Sequence, residues 1–285
     1  MSFVGHPPND DSRKITFVDS NEDTAILGYS GLGITALGTE PCDWMSGVLR
    51  GRVRTIEESL AFLADAVKSQ LVPHLHKLPG DIIAHHIYAP CMITEQPKFY
   101  TIDYGYNRLT SQEFFRFTRH IRQSENSAAE LTPRIGVSGS GAMFLRRNLR
   151  WKRPLLSLVS ANDRGRISPI VLADHIASIC YDSHLGTADS TVGHRCIVAW
   201  RYRRHGYHRG GGGHRCYTDG VRERNVPPLP SVANGIDVGA FSRGEMEYVH
   251  GMVAKNHGEF ASFDMADLWS AVIEKLPSDP DQTLK

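Results

Sequence analysis

Arg13-Lys14-Ile15-Thr16-Phe17-Val18, then Thr24 to Tyr29 running into Ser30-Gly31-Leu32-Gly33, is the stretch whose reading decides the fold. The first segment alternates and is rich in β-formers, so it reads as a strand. Ser20-Asn21-Glu22-Asp23 has the polar composition of a turn, and the second segment returns as another strand. Together they predict a β-hairpin that ends in a glycine-containing turn.

Downstream, Ile56, Leu60, Leu63, Val67 and Leu71 recur at helical spacing, and Thr55 with Glu58 forms a capping box, so Thr55 to His74 reads as a helix. Asp81 to Ala89 and Phe99 to Ile102 read as strands, with Tyr104-Gly105 as a turn. Leu109 to Ile121 reads as an aromatic-rich helix, and Arg134 to Val137 as a short strand entering Ser138-Gly139-Ser140-Gly141. Pro169 opens a second strong helix reaching about Leu185, since proline suits a first helical turn. Cys196 to Tyr202 reads as a strand, Gly206 to Gly220 as a loop, and Pro227-Pro228-Leu229-Pro230 as a rigid connector. Two amphipathic helices, Gly244 to Lys255 and Met265 to Leu276, close the chain before a loose tail, Pro277 to Lys285. Hairpins among long helices predict an α+β fold of antiparallel sheets with helices packed outside.

Composition narrows the function classes. The chain is 41% hydrophobic and 22% charged, with a formal net charge of +1. That is ordinary globular composition, with no global field for a nucleic acid partner. No basic region leads into an apolar stretch at the start, and no window has the apolar length of a membrane span, so neither a secretory signal nor a membrane partner is expected. The five cysteines are odd in number and mostly set in apolar runs, which reads as free thiols in a reducing compartment, the cytoplasm.

Five motifs, in this order, resemble the proteasome-type branch of the N-terminal-nucleophile hydrolases. Lys14-Ile15 opens a strand as the family's catalytic lysine does. Gly28-Tyr29-Ser30-Gly31 resembles its small-residue turn, and Tyr100-Thr101-Ile102-Asp103-Tyr104-Gly105 resembles its tyrosine, aspartate and glycine hairpin. Gly139-Ser140-Gly141-Ala142 resembles its Gly-Ser-Gly-Ser segment. Asp189-Ser190-Thr191-Val192-Gly193, which follows the second helix, is similar to the family's Asp-Ala-Tyr-Ser-Gly segment, with Val192 where the family has serine. The resemblance spans Arg13 to Tyr202. It implies a four-layer αββα sandwich over residues 1–205; residues 206–285 lie beyond the resemblance and read as a Gly/Arg-rich loop and helical extension. It also implies ring-type homo-oligomers and hydrolysis of amide or peptide bonds.

In that family the nucleophile is the first residue of the mature chain, and its own α-amine is the general base. An unperturbed α-amine has a pKa of about 7.7–8.0 and accepts a proton near neutrality. The resemblance gives Lys14 the role of easing hydroxyl deprotonation and the Gly31 amide that of stabilising the oxyanion. Ser140 and Asp189 position the amine and hydroxyl. Family members carry two strands before the lysine, whereas thirteen residues precede Lys14 here, with Pro7-Pro8 among them. Ser2, exposed by methionine removal, is the remaining nucleophile candidate. The expectation is therefore a family scaffold whose catalytic set is incomplete as written.

Other constellations point elsewhere. Gly136 to Ser140 misses the Gly-x-Ser-x-Gly nucleophile elbow at its last residue, which sets aside the α/β-hydrolase reading. His194 to Arg224 holds eight arginines with interleaved aromatics, so residues 201–224 read either as a solvated hairpin or as a basic Gly-rich loop that binds a partner. The second alternative describes a non-catalytic proteasome-like structural or binding subunit. Cys196 and Cys216 near His194, His205, His208 and His214 offer soft ligands, but their spacings match no zinc pattern. No cofactor and no metal are expected. Of His85 and His86, in a strand, one reads as buried and one as exposed.

Overall fold

The computed structural model describes residues 13–21, 23–31, 40–77, 81–94, 96–120, 135–139, 141–187, 192–201, 212–226 and 228–239, with isolated positions 242, 248 and 251. The two C-terminal helices expected from Gly244 and from Met265, and the tail, lie outside the described residues.

The opening hairpin forms as β1 (Ile15–Ser20) and β2 (Asp23–Ser30), antiparallel, with Phe17 opposite Ile26 and Asn21 in a positive-φ turn. α1 (Pro41–Leu49) follows, with proline at its first turn. α2 (Ile56–Ala66) starts at Thr55, whose hydroxyl accepts from Glu58 N while the Glu58 carboxylate accepts from Thr55 N, the reciprocal cap read from sequence. The helical path continues as a π turn, Val67–Leu71, and a 3-10 stretch, Val72–Lys77, as Pro73 forbids a regular ladder.

β3 (Ile82–Ile93) and β4 (Gln96–Asn107) form a long hairpin, and β5 (Gln112–His120) adds to its edge. Two expectations are corrected here. The aromatic-rich segment from Leu109 is a strand, and Tyr104-Gly105 lies inside β4, opposite Phe115 and Phe114. The turn comes later, where Asn107 Oδ1 accepts from Leu109 N and Thr110 N.

Far along the chain, β9 (Ser231–Ala233) pairs parallel with β1, and β10 (Ile236–Asp237) folds back on β9. The main sheet therefore has seven strands, ordered β10-β9-β1-β2-β3-β4-β5, and is mixed, not purely antiparallel as the hairpins had suggested. A second, antiparallel sheet holds β6 (Arg195–Arg201), β7 (Gly212–Thr218) and β8 (Val221–Arg222). β7 occupies about half of the glycine-rich segment expected to be a loop, residues 212–218 of 206–220. Residues 135–137, expected as a strand, are irregular. Three further helices, α3 (Ala142–Arg147), α4 (Lys152–Asp163) and α5 (Pro169–Gly186), lie between the sheets in sequence. Only α5 had been visible in the sequence.

The chain is thus α+β. Ala25, Leu27 and Tyr29 of β2 face α1 and α2, where they pack with Met45, Ile56, Leu60 and Leu63 in the main core. Residues of opposite parity face the second sheet: Phe17 meets His214 and lies under the Arg201 guanidinium, and Arg201 pairs with Asp19 at 2.9 Å. The other side of the second sheet packs on α5, with Val198 and Tyr217 against Ala173 and Ala177, and Tyr217 O–H donates to Asp174. No helix among the described residues is long and apolar enough to cross a membrane.

Candidate active site

The end of the β1–β2 hairpin gathers polar side chains that the sequence scatters. Lys14 precedes β1, and its carbonyl accepts from Tyr29 N, which puts it across from the end of β2. There Lys14 Nζ donates to Gly31 O at 3.1 Å. The two residues to which the resemblance assigns adjacent roles are in direct contact. Gly31 has φ +156°, and a Cβ there would come 2.9 Å from the His85 ring, so no larger residue fits without displacement.

Behind Gly31, on the face that carries the main core, lies a buried polar chain of Tyr104, Tyr29 and His85. The Tyr29 hydroxyl and His85 Nδ1 share a hydrogen bond of 2.5 Å. Tyr104 in turn hydrogen-bonds Tyr29. Burial disfavours every charged form here: it pushes the Tyr29 hydroxyl up to about 12, raises Tyr104 well above the ordinary range, and lowers His85 to about 4, with the charges of His86 and Lys14 adding to the last. His85 is therefore neutral at pH 7.

The opposite face of the same strands carries Ser30, His86 and Tyr88. Gly139 closes over it, since a Cβ at that position would lie 3.4 Å from Ser30 Oγ. Tyr88 hydrogen-bonds Ser138. Residues 138 and 139 thus rest on the strand end that leads into Gly31. Gly141 O accepts from Ser183 Oγ of α5 at 3.3 Å. Ser140, Asp189 and Ser2 lie outside the described residues. Their described neighbours are Gly139 and Gly141 for Ser140, and for Asp189 the closure of His184 Nδ1 on Val192 O at 2.6 Å.

The remaining clusters have structural tasks. Arg201, in the basic segment, is bound to Asp19 and stacked on Phe17, and Arg195 pairs with Glu223. Glu40, Cys42 and Asp43 are close enough to share a cation. Arg13, however, already binds Glu40 at 2.9 Å and Asp43 at 3.2 Å, and burial beside Asp43 pushes the Cys42 thiol up to about 12, away from the thiolate that a soft metal needs. The Cys180 and Cys196 thiols hydrogen-bond each other between α5 and β6. All five cysteines are free.

The motifs placed Lys14 and Gly31 together, with Tyr29 in the same turn, but did not bring His85, His86 and Asp103 to this region. Their common location depends on the β2–β3–β4 register, which no local motif encodes. No family model matches the chain, and neither a curated protein nor a solved structure matches it.

Proposed function

We propose that this chain is a proteasome-like hydrolase subunit that cleaves amide or peptide bonds through a hydroxyl nucleophile at its N-terminal end. The observation that carries the reading is the 3.1 Å contact between Lys14 Nζ and Gly31 O. It holds a cation at the mouth of the hairpin, beside the turn whose amide the resemblance assigns to the oxyanion. A cation there favours deprotonation of a nearby hydroxyl. Residues 138 and 139, flanking Ser140, rest against the same strand end, which supports the positioning role given to Ser140.

The order of packing agrees with a four-layer αββα sandwich: α1 and α2, the seven-stranded sheet, the three-stranded sheet, then α5. In this reading the subunit is cytoplasmic and assembles with its own copies into a ring. β5 has no strand partner on its outer edge among the described residues, and it exposes Phe114 and Phe117, which gives such copies a surface. The alternative, a non-catalytic subunit binding through its basic loop, gains nothing from Arg201, whose charge is committed to Asp19.

The test is the intact mass of the purified chain before and after a β-lactone. Loss of the initiator methionine with one stoichiometric adduct on Ser2 is the expected result. An unmodified chain after prolonged exposure defeats the N-terminal nucleophile.

A further inference from the structure

A row of three residues crosses the face of the seven-stranded sheet that points away from α1 and α2. Ser30 of β2 stands opposite His86 of β3, and His86 stands opposite Asp103 of β4. Residues directly opposed on one face have Cβ atoms about 4.5–5.5 Å apart. Hydroxyl, imidazole and carboxylate therefore follow one another in the order a serine hydrolase uses.

The hydrogen bonds give this row a direction. His86 Nδ1 lies 2.8 Å from Asp103 Oδ1. Thr101, two residues earlier on the same face of β4, donates to Asp103 Oδ2 at 3.2 Å, and its Oγ1 lies 3.0 Å from His120 Nε2 on β5. Since the threonine proton points to Asp103, the contact with His120 is an Nε2–H donated to threonine. The carboxylate is thus held at both oxygens and fixes the imidazole with its Nδ1–H toward β4. The other ring nitrogen, Nε2, is then directed away from the carboxylate, and Ser30 is the residue opposed to His86 on its other flank.

The surroundings suit a substrate. His86 and Asp103 side chains are 30% and 28% exposed, and so are reachable but partly sheltered. Tyr88 stacks on His86 with centroids 5.9 Å apart, and Phe99 stacks on Tyr88 at 6.3 Å with the planes 7° apart. An aromatic floor therefore runs out from the imidazole, matched to an apolar or aryl acyl group.

We infer that Ser30, His86 and Asp103 form an acyl-transfer centre for esters or amides of apolar acids. This centre is independent of any N-terminal nucleophile. Ser30 Oγ forms a bond to the carbonyl carbon while its proton passes to His86 Nε2 and the carbonyl π pair moves to oxygen. The oxyanion collapses, the bond to the leaving group breaks, and that group takes the proton from Nε2. Water then adds to the Ser30 ester, gives its proton to Nε2, and releases the acid as that proton returns to Ser30. The Oγ–Nε2 hydrogen bond forms when substrate binds, since catalytic hydrogen bonds often reach their working length only in the complex. Asp103 is a positioning residue that acts through His86.

A fluorophosphonate probe followed by peptide mapping, with p-nitrophenyl butyrate turnover alongside, tests this on the full chain. The expected result is one adduct per chain, on Ser30, absent in Ser30→Ala and in His86→Gln, with kcat lower by at least about a hundredfold in both. Asp103→Asn lowers kcat while KM stays, a split that a purely structural carboxylate does not produce. Circular dichroism and a cooperative thermal transition establish that each variant is folded. An adduct on Ser2 alone, or on another serine, overturns this centre, and so does the absence of any adduct in folded wild-type protein. None of these three results replaces the β-lactone measurement, which judges the N-terminal nucleophile by itself.

Discussion

Lys14 and His85 sit on the same side of the hairpin end, and each makes a prediction that a single substitution tests. Lys14→Ala removes the cation beside Gly31 and is expected to abolish amide hydrolysis without changing the far-UV spectrum. Turnover retained in that variant removes Lys14 from the mechanism. His85 is held neutral by burial at about 4, against an ordinary value of 6.5. Between those values the unfolded chain binds a proton that the folded chain does not, so this contribution is fully present above pH 6.5 and is lost as pH falls toward 4. The loss is roughly 2 kcal/mol by pH 5. Urea unfolding at pH 7 and pH 5 measures it, and His85→Gln is expected to show a smaller pH dependence than wild type. Equal slopes exclude His85 as the source. Some of this chemistry was legible: Lys14 and Gly31 were paired from their motifs, and one of two adjacent histidines was read as buried. Ser30, His86 and Asp103 were not, because three strands must align before a serine at 30 meets a carboxylate at 103.

At the scale of elements, legibility followed the strength of the local signal. α2 was read with its cap because the apolar spacing and the Thr55–Glu58 pair agree. Thr55→Ala is expected to cost about 1 kcal/mol, seen as a lower urea midpoint with an unchanged slope. β5 was misread because Phe114 and Phe115 sit on opposite faces, so aromatic residues hide the period of two. The structure gives the reason for Phe114, which covers Gly105 on the neighbouring strand. A Cβ at Gly105 would lie 2.2 Å from Ile83 O and 2.3 Å from the Phe114 ring, so Gly105→Ala must displace backbone as well as ring. It is expected to lower the thermal midpoint by several degrees or more. A midpoint within one degree of wild type shows that the β3–β5 surface yields more readily than this geometry allows. α1 and α3 were missed because they are too short to show a period, and α4 because only Leu155 along its length is buried.

Across the whole molecule, two long-range links join parts of the chain that the sequence reading kept apart. One is Arg201 with Asp19, a partly buried pair that also stacks on Phe17 and ties the second sheet to the first. Asp19→Ala is expected to destabilise the protein by roughly 2 kcal/mol, with a non-additive double-mutant cycle against Arg201→Ala. Strict additivity shows that the pair is not coupled. The other is the parallel pairing of β9 with β1, reinforced where Asn234 N donates to Asp19 O and Gly51 N to Gly235 O. Neither was legible, since no motif announces which distant strand will complete an edge. The second link has a consequence for biosynthesis. A ribosome releases β1 about two hundred residues before residues 231–233, and only then can its outer edge be covered. Over that interval the nascent chain shows an edge of unpaired N–H and C=O groups, the kind that recruits chaperones or pairs with a neighbouring nascent copy.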